Sequence, residues 1–373
     1  MTFEERKAQV KSYLGKRVVI GIDRPVGYVH KKEKYSLTYP INYGYIPVVI
    51  GGDGEELDVY LLGVNEPVCE YECEIIAISH RHNDVEDKLV GAPVGMRFSK
   101  EEIAEAIRFQ EQYYDTQIEV YNYIRPECFR NLNRIEFVVT MACTGKCKHC
   151  SQGENRSADR LDKTISSDAV RKIASEYDIK SVMTFGGEPL LCVDTVCEIH
   201  KTAMQMNIPK RQLITNGYFS KDTDEIRNVA KRLCNSGVNE ILLSVDAFHQ
   251  ETIPLIYVKE FAAAVLSTGV EIKVQPAWLT SADDDNIYNR KTKEILTLFN
   301  DMGIETNEGN IVFPGGNALK YLSEYFDMNK TYENPYNESP DDIRAICLSA
   351  NGDILGSNIY KKDIMQILSE YAP

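Results

Sequence analysis

The sequence predicts two domains of different class: a small β barrel over residues 1–118 and an α/β domain over residues 131–356 with the plan of a partial (β/α)6 barrel. A linker at 119–130 joins them, and a C-terminal helix or tail follows at 357–373. Three observations carry this reading. A length of 373 residues suits two domains better than one. Before residue 120, short runs rich in Val, Ile and Tyr are broken by Gly, Pro and Asp every 8–12 residues, the pattern of a small barrel. Beyond residue 130, strand-like runs alternate with segments of helical period, which is how βαβ units around a parallel sheet read in sequence.

One helix closes the first domain. Ser99-Lys100-Glu101-Glu102 is a capping box, and Ile103, Ile107 and Gln110 share a face with Tyr114. Ile135-Glu136-Phe137-Val138-Val139 opens the second domain as a strand. Val170, Ile173, Ala174 and Tyr177 then follow helical spacing behind Ser167, read as the N-cap. Further strands are expected near 181–185, 211–214, 240–246, 271–276 and 310–313. Six strand–helix repeats fit a partial barrel better than a closed eightfold one, which needs roughly 250 residues. In such a barrel the functional groups belong at the C-terminal ends of the strands. At the last strand, Phe313-Pro314-Gly315-Gly316-Asn317-Ala318 reads either as a pocket wall or as a plain turn.

Composition narrows the function classes. Hydrophobic residues make up 43%, enough for an ordinary core, and no run of about 18 apolar residues offers a membrane span. A net charge of −14 counts against a nucleic-acid partner, because phosphate backbones require a basic footprint. Ten cysteines behind a charged N-terminus that lacks a secretory signal point to a reducing, cytoplasmic interior rather than to disulfides.

The most informative segment is Thr140-Met141-Ala142-Cys143-Thr144-Gly145-Lys146-Cys147-Lys148-His149-Cys150. Three thiolates on one short loop can hold three irons of a 4Fe-4S cube and leave the fourth iron open to a small molecule. The competing reading is a zinc knuckle with His149 as fourth ligand, but no second ligand pair of suitable spacing follows. Three more segments fall at expected strand ends. Phe185-Gly186-Gly187-Glu188-Pro189 offers two glycines for close backbone approach and a carboxylate for an amino group. Asn216 follows a third strand, and Ser244 and Asp246 lie on one face of a fourth.

At these residues the chain resembles the radical S-adenosylmethionine (SAM) superfamily over residues 130–356. The resemblance implies that Cys143, Cys147 and Cys150 hold a 4Fe-4S cluster. It implies further that Gly186, Gly187 and Glu188 meet the methionyl amino group of S-adenosyl-L-methionine, and that Ser244, Asp246 and Asn216 sit by its sugar and carboxylate. One-electron cleavage would then yield a 5′-deoxyadenosyl radical, with flavodoxin or ferredoxin as electron donor and a small molecule or peptide as the radical's substrate. Cys347 opens a strand–turn–strand pattern that resembles the start of the cysteine-rich extension of peptide-modifying members, but no cysteine follows it, so no second cluster is expected.

The first domain carries a second chemistry. Tyr39-Pro40-Ile41-Asn42-Tyr43-Gly44-Tyr45 precedes Asp53, Glu55 and Asp58, and Glu86 and Lys88 follow. Converging carboxylates need cations to stay ionised together, and Mg²⁺ is the hard, phosphate-seeking choice. A solvated acidic loop is the alternative reading of the same residues. The segment resembles the soluble Mg²⁺-dependent inorganic pyrophosphatases. That resemblance implies metal ligation by Asp53, Asp58 and Glu86, water activation by Glu55, and diphosphate binding by Lys88, Tyr43, Tyr113 and Lys31. The pattern also departs from the family. Glu55 stands for an aspartate, Glu86 for another, Tyr114 for a late lysine, and residues 24–28 are too few to carry an early hairpin's Lys and Glu. The sequence therefore carries two readings: a radical SAM enzyme fused to a working diphosphatase, or one fused to a module that only binds diphosphate.

Overall fold

A computed structural model describes residues 2–32, 35–123, 125–154, 157–327, 329–332 and 337–372. The chain divides into two compact units, Met1–Ile124 and Arg125–Pro373.

In the first unit five strands close on themselves. Arg17–Arg24 pairs with Asn42–Ile50, then come Glu56–Leu61, Lys88–Ala92 and Glu70–Arg81, and the last of these pairs back onto Arg17–Arg24. Thr116–Val120 adds antiparallel to Glu70–Arg81 as a sixth strand outside the ring. Period-2 alternation makes closure pay on both faces. Val59, Leu61, Ile75 and Leu89 enter one apolar cluster. Their neighbours Tyr60, Leu62, Ile76 and Val90 enter another, where Ile103 and Ile107 of helix Lys100–Glu111 cover them. That helix starts with the capping box expected from sequence, Ser99 and Glu102 exchanging side-chain and backbone bonds. Gln110 is not its buried partner; Glu111 is, because its carboxylate takes the guanidinium of Arg81 and the hydroxyls of Tyr60 and Ser79.

In the second unit seven strands form one parallel sheet. Its order is Glu305–Thr306, Glu271–Gln275, Glu240–Ser244, Lys210–Thr215, Ser181–Gly186, Arg134–Thr140 and Ala345–Leu348. Helices Lys163–Glu176, Val193–Gln205, Thr223–Asn235, Leu255–Leu266 and Ile287–Asn300 connect successive strands. Ile135, Phe137, Val139, Val182, Leu213, Ile241, Leu243 and Val274 are buried on the sheet, as βαβ crossovers require. The cysteine loop, the Gly186–Gly187–Glu188 loop, Asn216 and the Ser244–Asp246 segment therefore leave the sheet at the C-terminal ends of four neighbouring strands.

Two local expectations are corrected. The helix after the cysteine loop begins at Lys163, not at Ser167. Asp162 is the N-cap because its carboxylate reaches the amides of Thr164 and Ile165, whereas the Ser167 hydroxyl turns inward to the Thr164 carbonyl. The strand expected at 310–313 does not extend the main sheet. Glu305–Thr306 does, and Asn310–Ile311 pairs with Ala277–Trp278 in a separate ribbon. The strand–turn–strand pattern opened by Cys347 is present: Ala345–Leu348 pairs parallel with Arg134–Thr140, and the turn at Asn351–Gly352 leads into Asp353–Ile354, which pairs with Ser357–Asn358. Replacing the exposed cap, Asp162→Ala, is expected to cost about 1 kcal/mol of second-unit stability in denaturant unfolding; an unchanged midpoint would contradict the cap assignment.

Candidate functional site

The strand Arg134–Thr140 ends under Thr140, whose hydroxyl binds the Asp159 carbonyl and accepts from the Ala142 amide, turning the chain into the cysteine loop. Cys143, Cys147 and Cys150 line one cavity of about 290 Å³ together with Gly186, Gly187, Asn216 and Ser244. The Cys143 sulfur accepts from the Gly145 amide at 3.4 Å and from Asn216 Nδ2 at 3.7 Å, bonds that favour a thiolate. The carbonyl of Cys147 accepts Asn317 Nδ2 at 3.0 Å, and that of Cys150 accepts the Asn317 amide at 2.9 Å. Asn317 starts a short helix behind Gly316, whose φ of +51° and ψ of −125° suit glycine, and a Cβ there would lie 2.4 Å from the Ser151 carbonyl. Phe313 lines the cavity, so the 313–318 segment both borders the pocket and clamps the cysteine loop.

The two glycines of the next loop have a specific packing reason. The Gly187 amide donates to the Thr140 carbonyl at 2.7 Å and the Glu188 amide to the Ala142 carbonyl at 2.8 Å. A Cβ on Gly186 would stand 2.4 Å from the Thr140 carbonyl oxygen, and one on Gly187 would stand 2.2 Å from that of Ala142. What the backbone approaches here is the cysteine loop itself.

Glu188 does not line the cavity. It is fully buried, and its carboxylate accepts from the Leu190 amide, the Thr215 hydroxyl and the Asn216 amide at 2.7–2.9 Å. Burial pushes it up to about 7 despite these donors. It acts as a staple between two strand ends, and Asn216 is what it presents. Asp246 is likewise fully buried and off the cavity wall. It caps the turn Ala247–Gln250 and accepts from the His249 and Ala277 amides at 2.9 and 3.0 Å, with His249 Nδ1 at 2.8 Å. Burial raises its carboxyl, but the adjacent His249 outweighs this and holds it at about 2. His249 thus takes the place at the cavity expected for Asp246. His149 joins it, its ring centroid 4.8 Å from that of His249 and 4.9 Å from that of Phe248, and burial lowers it to about 4. The Asp246–His249 spacing of three residues across a strand end was the available sequence signal.

The first unit holds its own group. Lys88 Nζ is buried between the carboxylates of Asp58 and Glu86, which both pair with it, and the Tyr43 hydroxyl bonds Asp58. Burial, partly offset by Lys88, raises Glu86 to about 7, and Asp53 adds to the local negative charge. One oxygen of Glu86 is buried without a hydrogen-bond partner. Asp53 and Glu55 lie on an exposed turn, the Glu55 amide donating to Asp53. Lys31, on the hairpin strand Val29–Lys32, and Tyr113, two-thirds exposed, make no hydrogen bond or ion pair with this group among the described residues. Tyr114 lies under the Arg81 guanidinium at 3.7 Å. Sequence reasoning passed over Asp23 and the role of Arg24. Arg24 stacks 5.0 Å from the Tyr43 ring and binds the Tyr39 hydroxyl, and Asp23 senses the charge of Asp58.

Comparison with known proteins agrees with this division. Residues 137–273 match the family model of the radical SAM superfamily, and residues 15–123 match that of inorganic pyrophosphatase. A probable GTP 3′,8-cyclase of Methanocaldococcus jannaschii is 28% identical over 123 residues, 33% of this chain and 39% of that protein. One of Saccharolobus islandicus is 25% identical over 218 residues, 53% and 66% respectively. The chain thus spans only part of these relatives' length. Among solved structures, Streptococcus suis SuiB bound to S-adenosylmethionine aligns with a TM-score of 0.42 and 13% identity over 64% of this chain and 66% of that one. Inorganic pyrophosphatase from Ehrlichia chaffeensis aligns with a TM-score of 0.24 and 17% identity over 29% of this chain and 88% of that one.

Glu188 yields a pH test. Its folded-state value of about 7 lies above the ordinary 4.5, so its stabilising contribution is full below pH 4.5 and lost as pH rises through 7. Second-unit stability should therefore fall between pH 5 and pH 8 in denaturant titrations, and Glu188→Gln should flatten that fall. A slope identical in both proteins would contradict the assignment.

Proposed function

We propose that this chain, which joins a segment of the radical SAM superfamily to one of the inorganic pyrophosphatase family, cleaves S-adenosyl-L-methionine reductively at the cysteine loop and hydrolyses diphosphate in its barrel unit. The observation that carries the first part is the convergence of Cys143, Cys147 and Cys150 with Asn216, Ser244 and the Gly186–Gly187 backbone on one cavity. Three sulfurs with no fourth cysteine beside them fit a cluster held at three corners. When bound, that cluster supplies the electron that splits S-adenosyl-L-methionine into methionine and a 5′-deoxyadenosyl radical. The protein's own part is positional. With their amides already committed to Thr140 and Glu188, Gly187 and Asn216 would meet an amino acid moiety through their remaining polar groups, and Ser244 offers a hydroxyl. Apolar walls at Val138, Met141, Phe185 and Phe313 exclude water from a reactive radical. We read the six consecutive strands of the sheet as a partial (β/α)6 barrel, and an electron donor of flavodoxin or ferredoxin type as the partner.

For the barrel unit, Asp53, Asp58 and Glu86 would hold a hard cation such as Mg²⁺ only after drawing together and releasing Lys88, since among the described residues their carboxylates do not gather as a ready ligand set. Bound there, the ion would polarise phosphoryl oxygens and lower the pKa of a bound water. Lys88 and Arg24 would face the phosphates and Glu55 would serve as base. The second reading, a module that only binds diphosphate, is favoured by Lys88 already neutralising Asp58 and Glu86, and by Lys31 and Tyr113 making no bond to this group among the described residues.

Two assays test these parts separately. Anaerobically reconstituted, reduced protein should convert S-adenosyl-L-methionine to 5′-deoxyadenosine, with and without GTP, the substrate in the relatives' name, and Cys147→Ala should abolish this. A reconstituted protein that forms none would remove the radical reading. Mg²⁺-dependent phosphate release should fall at least about 100-fold in Asp58→Asn. Release no greater than that of buffer in the wild type would leave only the binding module.

A further inference from the structure

We infer that Cys147, His149 and His249 form a site for one Zn²⁺ ion that competes with the iron–sulfur cluster for Cys147. The inference goes beyond the proposed function and would survive its failure, since it needs neither S-adenosyl-L-methionine nor iron. The sulfur and the two imidazole nitrogens all lie within 4.8 Å of one another. Ligands at 2.0–2.3 Å from a tetrahedral ion stand roughly 3.3–3.8 Å apart, so side-chain rotations of about 1 Å close the set.

Two independent features prepare the imidazoles. His249 Nδ1 stands 2.8 Å from Asp246 Oδ2, and Asp246 is itself fixed by the His249 and Ala277 amides. A carboxylate behind a histidine is the arrangement that fixes the tautomer and turns the other ring nitrogen, Nε2, outward as a lone pair. His149 Nδ1 is buried and has no hydrogen-bond partner among the described residues, while its ring is held between Phe248 and His249. A buried polar nitrogen without a partner calls for one, and an ion at this point supplies it. One sulfur and two imidazoles select a borderline metal over Mg²⁺ or Ca²⁺. All three residues line the cavity, so the fourth position opens to water or a small ligand. On binding, the Cys147 thiol gives up its proton to solvent and becomes the thiolate ligand. This set differs from the knuckle considered from sequence, which used three cysteines and His149 alone.

The test titrates Zn²⁺ alone into the full-length, metal-free, reduced chain under anaerobic conditions, in competition with a chromophoric chelator, with elemental analysis for stoichiometry. One ion per chain is expected. His249→Gln and His149→Phe should each weaken binding at least about tenfold, and Cys143→Ser and Cys150→Ser should change it less than twofold. The His149→Phe variant keeps an aromatic ring on Phe248, and thermal unfolding verifies that each variant is folded. Zinc-loaded protein should then take up less iron during cluster reconstitution than zinc-free protein. Zinc binding that is lost in Cys143→Ser or Cys150→Ser but kept in both histidine variants would overturn the inference in favour of a three-cysteine knuckle. No binding by the wild-type chain would overturn it outright.

Discussion

The contact between two backbone loops governs the second unit. The amides of Gly187 and Glu188 donate to the carbonyls of Thr140 and Ala142, at a separation that leaves no room for a Cβ on either glycine. Two neighbouring strand ends, parallel but shifted by one residue at Gly186, are thereby fused into a single rigid rim. The Glu188 carboxylate extends the rim to a third strand through Thr215 and Asn216, and Asn216 returns to the Cys143 sulfur. The cysteine loop, which has little regular structure of its own, takes its shape from these bonds. A net hydrogen bond contributes only about 1 kcal/mol, but a buried amide left without an acceptor costs more, so the set is cooperative.

A second regularity is that the carboxylates serve at one remove. Glu188 and Asp246 are both wholly buried, and each presents another residue to the cavity, Asn216 in one case and His249 in the other. In the barrel unit Asp58 and Glu86 are likewise committed, to Lys88. Burying a charge is tolerable only when it is paired or well hydrogen-bonded, and each of these acids meets that condition inside the protein before any ligand arrives.

Much of this was legible in the sequence because periodicity and turn chemistry are local. The short Val-, Ile- and Tyr-rich runs broken every 8–12 residues pointed to the small barrel, the alternation after residue 130 to the parallel sheet, and the Ser99–Glu102 box to its helix start. The helix start was misjudged because Ser167 suits a cap by residue type, whereas the backbone turn that makes Asp162 the cap, five residues earlier, is not visible in the sequence. The strand at 310–313 was displaced because two-residue strands carry no periodicity. Residue types alone could place Glu188 and Asp246 at the site but not say which way they face. His249 and Asp23 escaped notice, and the roles of Asn317 and Arg24 did too, because their importance comes from partners distant in sequence, the Asn317 amide group reaching Cys147 across 170 positions.

That last separation has a consequence for biogenesis. During synthesis the cysteine triplet emerges long before the residue that caps its carbonyls, an interval of roughly 10–30 s at 5–20 residues per second. Throughout it the nascent thiols are unshielded, so whichever metal or oxidant arrives first acts on an unfinished loop, and the order of translation becomes part of what the mature protein carries.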